Sequence, residues 1–139
     1  DSANASMGDL DADGDLDIVL AKGRHAPILD RVLLNDGTGG FVASDLGPAA
    51  DGTYTAALGD FDGDGDLDVP TSNDTPDRKL VYLNDGKGRF TIAGTWGVAE
   101  WSTRNAAVAE QPSRCSTAAC GCLAVTPWPT AWRSACSSR

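Results

Sequence analysis

Two stretches decide the fold: they read GDLDADGDLD over residues 8–17 and GDFDGDGDLD over residues 59–68. The second stretch begins 51 residues after the first, and eight of the ten positions are identical. A segment that returns at a fixed period indicates a repeat architecture in which each copy is one supersecondary unit. The sequence therefore predicts similar units that stack on one another.

A second shared segment follows each stretch. VLLNDGTGGF over residues 32–41 matches VYLNDGKGRF over residues 81–90 at an offset of 49. Asn-Asp-Gly between apolar runs predicts a β-hairpin turn, because these residue types tolerate positive φ. A third copy begins at residues 103–110, which parallel residues 53–60 at an offset of 50.

Each copy contains four short segments typical of strands. One precedes the acidic stretch, one follows it, one ends in Asn-Asp-Gly, and one begins at the next Phe. The predicted strands are residues 55–58, 16–21, 67–71, 31–34, 79–83, 41–43 and 90–93. Four strands in about 50 residues is the size of one propeller blade. Pro70 cannot donate to a strand ladder, so we expect its strand to be shortened or to leave this position unpaired.

We predict an all-β fold, a partial β-propeller with two four-stranded blades, the start of a third blade and an irregular C-terminal tail. The expected units are repeat 1 over residues 1–50, repeat 2 over 51–99, the start of repeat 3 over 100–110 and an aberrant tail over 111–139. The tail contains no Asp or Glu and holds all four Cys. Because the composition changes in mid-repeat, our hypothesis for this tail is a reading-frame shift or a mis-joined end.

The acidic stretches have the composition of metal-binding loops. Alternate positions are aspartates, and these candidate ligands are Asp9, Asp11, Asp13, Asp15, Asp17, Asp60, Asp62, Asp64, Asp66 and Asp68. Five carboxylates within nine residues repel one another unless a cation lies among them. Gly14 and Gly65 permit the sharp turn that such a loop needs. Ligands with oxygen only indicate a hard ion, and a flexible loop favours Ca²⁺ over Mg²⁺. We predict two Ca²⁺ sites.

The loops differ from an EF-hand at position 12. An EF-hand has a bidentate Glu there, whereas this chain has Leu20 and Thr71. The pattern DxDxDGDxD, an apolar strand and then LNDGxGxF resembles the FG-GAP/VCBS-type repeat over residues 3–110. That family includes the calcium-binding blades of integrin α-subunit propellers and many bacterial secreted proteins.

The resemblance implies a ligand set for each loop. In the first loop it implies the side chains of Asp9, Asp11, Asp13 and Asp17 with the backbone carbonyl of Asp15. The corresponding set in the second loop is Asp60, Asp62, Asp64, Asp68 and the carbonyl of Asp66. Family propellers usually have seven blades, so further blades or other chains would be needed to close a ring. We therefore interpret the chain as a fragment.

Charge and hydropathy restrict the partners. The formal net charge is −9, from 20 acidic and 11 basic residues, and this disfavours nucleic acid and anionic lipid surfaces. No apolar run approaches the roughly 20 residues that membrane insertion requires. A protein or carbohydrate ligand remains as the expected partner. Extracellular calcium modules bind with Kd on the order of 10⁻⁴–10⁻³ M, so we expect an extracellular or cell-surface location, with the periplasm as the alternative.

Two functions are compatible with these patterns. The first is a non-catalytic calcium-binding module with an adhesion or binding role. The alternative is a fragment of a larger secreted carbohydrate-active enzyme whose catalytic residues lie outside this chain. Paired glycosidase carboxylates require one acid with a raised pKa in an apolar cleft, and no residue is singled out for that role. His25, the only histidine, is predicted to be a surface-loop residue, since no nucleophile accompanies it.

The remaining candidate residues are cysteines and tryptophans. The spacing of Cys115, Cys120, Cys122 and Cys136 matches no zinc pattern, and we interpret it as accidental. Trp96 and Trp101 are expected to pack between adjacent blades, with stacking on a sugar as the alternative.

Overall fold

The computed structural model describes residues 2–73 and 77–96. This part of the chain forms eight β-strands. In chain order they are β1 (Ser2–Gly8), β2 (Asp17–Lys22), β3 (Ile28–Asn35), β4 (Phe41–Asp51), β5 (Thr53–Ala56), β6 (Val69–Asn73), β7 (Leu80–Asn84) and β8 (Phe90–Thr95). The predicted third repeat, the tail with its cysteines, and Trp101 lie outside the described residues.

The strands form two four-stranded sheets with the same topology. The strand order is β1-β2-β3-β4 in the first sheet and β5-β6-β7-β8 in the second, and every pairing is antiparallel. We call these sheets blade 1 and blade 2, because their size and order are those of propeller blades. The all-β prediction with four strands per repeat is confirmed.

Two strands differ from their predicted form. β4 has eleven residues rather than three, and it pairs with β3 from Asn35↔Phe41 to Ile28↔Asp51. β6 begins one position later than β2 in the repeat and keeps Pro70 inside the strand, opposite Val81. The Pro70 carbonyl accepts a hydrogen bond from the Ala57 amide at 3.1 Å. The proline therefore contributes its acceptor to the sheet, although it has no donor.

The topology separates two rims of the molecule. Each acidic loop follows the first strand of its blade, and each Asn-Asp-Gly turn follows the third, so antiparallel pairing places loop and turn at the same end. We call this end the aspartate rim. Residues 23–27, which join β2 to β3, lie at the opposite end.

The two blades pack through a single apolar core. Its buried members are Leu10, Val19, Ala21, Val32, Leu46, Ala56, Val69, Leu80 and Tyr82. Close approach between the blades requires glycine at two positions. A Cβ on Gly8 would lie 2.7 Å from the Leu67 side chain, and one on Gly47 would lie 2.5 Å from the Tyr82 ring. The Ser6 hydroxyl also donates to the Ala56 carbonyl at 2.5 Å, so hydrogen bonds and apolar contacts together fix the blades.

Among the described residues, no helix is long and apolar enough to span a bilayer.

Candidate metal centres

A buried aspartate anchors the first acidic loop to its sheet. Asp17, the first residue of β2, has no exposed surface. Its Oδ2 accepts the Leu10 amide and its Oδ1 accepts the Asn35 amide, both at 2.7 Å. Leu10 lies in the loop and Asn35 begins the Asn-Asp-Gly turn. One carboxylate therefore ties the loop and the turn together.

The second loop repeats this anchor. Asp68 is equally buried. Its Oδ2 accepts the Phe61 amide at 2.7 Å and its Oδ1 accepts the Asn84 amide at 2.9 Å. A carboxylate oxygen has two lone pairs, so both anchors retain acceptor capacity for a cation after these bonds are made.

Each anchor belongs to a triad of aspartates. One carboxylate oxygen from every member lies within 4.8 Å of one oxygen from each other member. The triads are Asp9, Asp11 and Asp17 in the first loop and Asp60, Asp62 and Asp68 in the second. Three converging carboxylates could hold a hard divalent cation. Two acidic triads of this kind match the loops that the sequence predicted.

The first triad contains two buried oxygens without a partner, Asp9 Oδ1 and Asp11 Oδ1. A buried acceptor without a hydrogen bond is costly, and a buried carboxylate is more so. The Oδ2 atom of Asp9 accepts the Gly14 amide at 3.1 Å, so the carboxylate is oriented while its other oxygen stays free. A divalent cation would satisfy both free oxygens, and the residues therefore fit such an ion.

The second triad is more fully occupied by the loop backbone. Asp60 Oδ1 accepts the Gly63 amide at 2.6 Å and its Oδ2 accepts the Gly65 amide at 3.2 Å. Asp62 Oδ1 accepts the Asp64 amide at 3.2 Å. Both side chains are exposed. The two loops thus have equivalent aspartates, but these accept different hydrogen bonds in each loop.

The other predicted aspartates lie outside the triads. Asp13 Oδ1 accepts the Asp15 amide, and Asp64 Oδ1 accepts the Asp66 amide, each at 2.9 Å in an exposed Asx turn. The side chains of Asp15 and Asp66 lie against the Asn-Asp-Gly turns. A Cβ on Gly37 or Gly86 would be 2.5 Å from their Oδ2 atoms. That these four residues are also ligands remains a prediction from the resemblance.

Burial and mutual repulsion raise carboxyl pKa values within both triads. Desolvation is the main cause at Asp68, where the pKa rises to about 6 although the Asn84 and Phe61 amides oppose the shift. Desolvation also raises the pKa of Asp11, with Asp13 and Asp17 adding repulsion. The pKa of Asp62 is raised for the same first reason. A bound cation would oppose these shifts, since it favours the charged form.

Comparison with known proteins supports the repeat assignment. Residues 8–69 match the family model of the FG-GAP-like repeat. This segment is an FG-GAP-like repeat. No curated protein and no solved structure gave a significant match. The matched segment begins immediately before the first loop and includes all of the second, so it contains both triads.

The sequence patterns did not identify the asparagines of the two Asn-Asp-Gly turns as functional residues. The sequence predicts Asn35 and Asn84 only as turn residues, whereas in the structure their backbone amides hold the two buried anchors. Asn84 Nδ2 also donates to the Leu67 carbonyl at 3.1 Å and to the Leu10 carbonyl of the other blade at 2.7 Å. The available signal was that an asparagine recurs 18 residues after Asp17 and 16 residues after Asp68.

A buried polar pair lies away from the aspartate rim. Asp30 is 5% exposed, and its carboxylate accepts the Lys22 amide at 2.7 Å and the Thr53 hydroxyl at 2.9 Å. Because Thr53 belongs to β5, this pair joins blade 1 to blade 2. Burial raises the pKa of Asp30 to about 6, although both hydrogen bonds oppose the shift. Asp30 lies just before the predicted strand over residues 31–34, and nothing in the sequence indicated this contact.

The structure places two further candidates. His25 is exposed in residues 23–27, as predicted. The Trp96 indole donates to the Thr71 carbonyl at 2.9 Å, and its backbone amide donates to the Lys79 carbonyl. Trp96 is therefore fixed on blade 2, and its packing against a further blade stays a prediction.

Proposed function

We propose that this chain is a calcium-binding β-propeller repeat module without catalytic activity, in a secreted or cell-surface protein with an adhesion or binding role. The observation that carries the proposal is the first triad. Two buried carboxylate oxygens, from Asp9 and Asp11, lie beside buried Asp17 and accept no hydrogen bond.

The ligand chemistry favours Ca²⁺ as the ion. All triad donors are oxygens, and Ca²⁺ accepts 6–8 oxygen ligands in flexible geometry, whereas Mg²⁺ requires near-ideal octahedral geometry. Four of the six triad carboxylates, those of Asp9, Asp11, Asp60 and Asp62, lie on loops of irregular backbone, which can adjust to the larger ion. Backbone carbonyls and water would complete the ligand number.

The proposed role of the ion is structural. A bound cation neutralises part of the charge of five aspartates in each loop, and binding is then coupled to folding. The loop residue Leu10 is part of the apolar core and of the contact with blade 2. An ordered first loop therefore also supports the packing of the two blades.

The location and partner follow from affinity and charge. Modules of this class suit millimolar extracellular calcium, because their Kd is on the order of 10⁻⁴–10⁻³ M. A net charge of −9 disfavours nucleic acid, so a protein or carbohydrate ligand on a propeller face is the proposed partner.

Calorimetric titration of the full chain with CaCl₂ tests the metal sites. We expect two sites in the wild type, with Asp11→Asn and Asp62→Asn each removing one. Asp36→Asn is the matched control, because Asp36 is an exposed rim aspartate outside both triads. Asp13→Asn and Asp64→Asn test the ligands that only the resemblance implies. Absence of binding heat, with equal melting temperatures in Ca²⁺ and in chelator, would overturn the calcium proposal.

The non-catalytic part needs a separate assay. The full chain with Ca²⁺ is expected to release no reducing ends from a panel of plant and bacterial polysaccharides. Sustained release that survives repurification would instead support the carbohydrate-active alternative.

A further inference from the structure

A chain of hydrogen bonds runs from one triad to the other across the blade interface. Asp17 of the first triad accepts the Leu10 amide at 2.7 Å. The carbonyl of the same Leu10 accepts Asn84 Nδ2 at 2.7 Å and the Gly88 amide at 2.9 Å. The Asn84 amide then donates to Asp68 of the second triad at 2.9 Å. Two residues, Leu10 and Asn84, therefore connect the two buried anchors.

Both residues of this connection are buried, and the side-chain amide of Asn84 has one defined orientation. Leu10 is 1% exposed and Asn84 is 6% exposed. The Asn84 side-chain nitrogen faces two carbonyl acceptors, those of Leu10 and Leu67. Reversal of the amide would place its oxygen against both carbonyls, so only one orientation is compatible with these partners. Asn84 can thus transmit a displacement of Leu10 to the backbone that holds Asp68.

Asn35 provides an internal comparison. Its amide holds Asp17 and its Nδ2 donates to the Leu16 carbonyl at 3.3 Å, which are the counterparts of the Asn84 bonds to Asp68 and Leu67. The bond from Asn84 to Leu10 is the additional one, and it crosses between blades.

We propose that the two cation sites are positively coupled through Leu10 and Asn84, so that a cation in either loop raises the affinity of the other loop. This inference rests on the proposed function. A cation in the first loop orders Leu10, which in turn fixes Asn84 and the position of Asp68. The second cation then binds a loop whose ordering has already been achieved in part. The same factor must apply in the reverse direction.

Direct charge effects act with the opposite sign. A cation in one loop reduces the negative potential at the other loop and would weaken the second binding step. This contribution is screened, since the Debye length is about 8 Å at 0.15 M ionic strength. Added salt should therefore leave the coupling unchanged or make it larger.

Site-resolved NMR titration of the full ¹⁵N-labelled chain with CaCl₂ in 0.15 M KCl measures the coupling. The Gly14 and Gly65 amides report the two loops separately, because each donates to an aspartate of its own triad. We expect Asp11→Asn to weaken Ca²⁺ binding at Gly65 by about 5-fold or more. Asp62→Asn should weaken binding at Gly14 by a similar factor. Asp36→Asn removes the same charge outside the triads and should change neither reporter.

Two asparagine variants locate the path. In an Asn84→Ala background, Asp11→Asn should change binding at Gly65 much less than in the wild type, and any remaining effect would come from the Gly88–Leu10 bond, which this variant keeps. In an Asn35→Ala background the full effect should persist, because the bond from Asn84 to the Leu10 carbonyl is intact. If Asn84→Ala fails to fold, the effects of Asp11→Asn at Gly65 and of Asp62→Asn at Gly14, measured with Asn84 present, still decide whether coupling exists. Independent binding at the two reporters would overturn the coupling and leave the calcium proposal standing. Absence of any Ca²⁺ response at Gly14 and Gly65 would overturn both.

Discussion

Replacing Asp17 with Asn is expected to destabilise the fold by about 2–3 kcal/mol even when all metal ions have been chelated. The carboxylate is fully buried and accepts two backbone amides, from Leu10 and Asn35, each at 2.7 Å. Its role as an anchor of the loop is therefore independent of any role as a ligand.

The magnitude follows from the hydrogen-bonding capacity of asparagine. A hydrogen bond to a charged group contributes about 1.5–3 kcal/mol. Asparagine accepts only through its oxygen, and its NH₂ group would face the second amide donor. One bond is lost and the other loses its charge assistance. Relief from burying a carboxylate offsets part of this loss, which keeps the expected total near the size of one charged bond.

Urea denaturation of the full chain, followed by tryptophan fluorescence in excess EGTA with a reductant, measures the effect. Asp13→Asn is the matched control, because exposed Asp13 makes one local bond to the Asp15 amide, and it should shift the free energy of unfolding by less than about 0.5 kcal/mol. Equal stability of the two variants would refute the anchor. Repeating the series in 10 mM Ca²⁺ should add about 1.4–2.7 kcal/mol per intact site, for Kd between 10⁻³ and 10⁻⁴ M.

Two further predictions concern acid stability and backbone strain. Because the Asp30 pKa rises from 3.8 to about 6 in the fold, the folded state favours the protonated form, so its contribution is complete below pH 3.8 and is lost as pH rises through about 6. Asp30→Asn should remove this pH-dependent contribution, with the Thr53 hydroxyl oxygen accepting from the new amide. The measurement is the free energy of unfolding against pH. Equal pH dependence of wild type and variant between pH 4 and 6.5 would contradict the assignment. Ala12 has φ +62° where the second loop has Gly63 at φ +85°. Ala12→Gly should stabilise by about 1 kcal/mol and Gly63→Ala should destabilise by a similar amount in chelator; thermal melts showing no opposite shifts would count against strain at this position.

The strand pattern was largely readable from the sequence, with one informative exception. Short apolar segments and the Asn-Asp-Gly turns predicted four strands per blade, and these were confirmed. The strand predicted in the region of β4 covers only residues 41–43, and the residues after it include Gly47 and Pro48, which are poor strand formers. Pairing with the long β3 extends it to Asp51, and Leu46 becomes part of the core. Tertiary pairing overrode local preference in this case.

Composition predicted which aspartates form the candidate site, but not which of them are buried and which are exposed. Alternation along each loop presented five equivalent aspartates, whereas the structure buries Asp17 and Asp68 and leaves Asp13 and Asp64 in exposed turns. That difference arises from amide donors 16 to 18 residues away in the chain. Spacing within a loop carries no information about such a distant donor, so the anchors could not be separated from their neighbours.

The separation of the two rims has a consequence for engineering. The acidic loops and their turns occupy one end of each blade, while residues 23–27 lie at the other end, with Arg24, His25 and Ala26 exposed there. A peptide epitope or affinity tag grafted at these three positions would be displayed at the end of the blade opposite the acidic loops. Under the proposed function, calcium would act on the scaffold at one end while a grafted peptide is presented at the other.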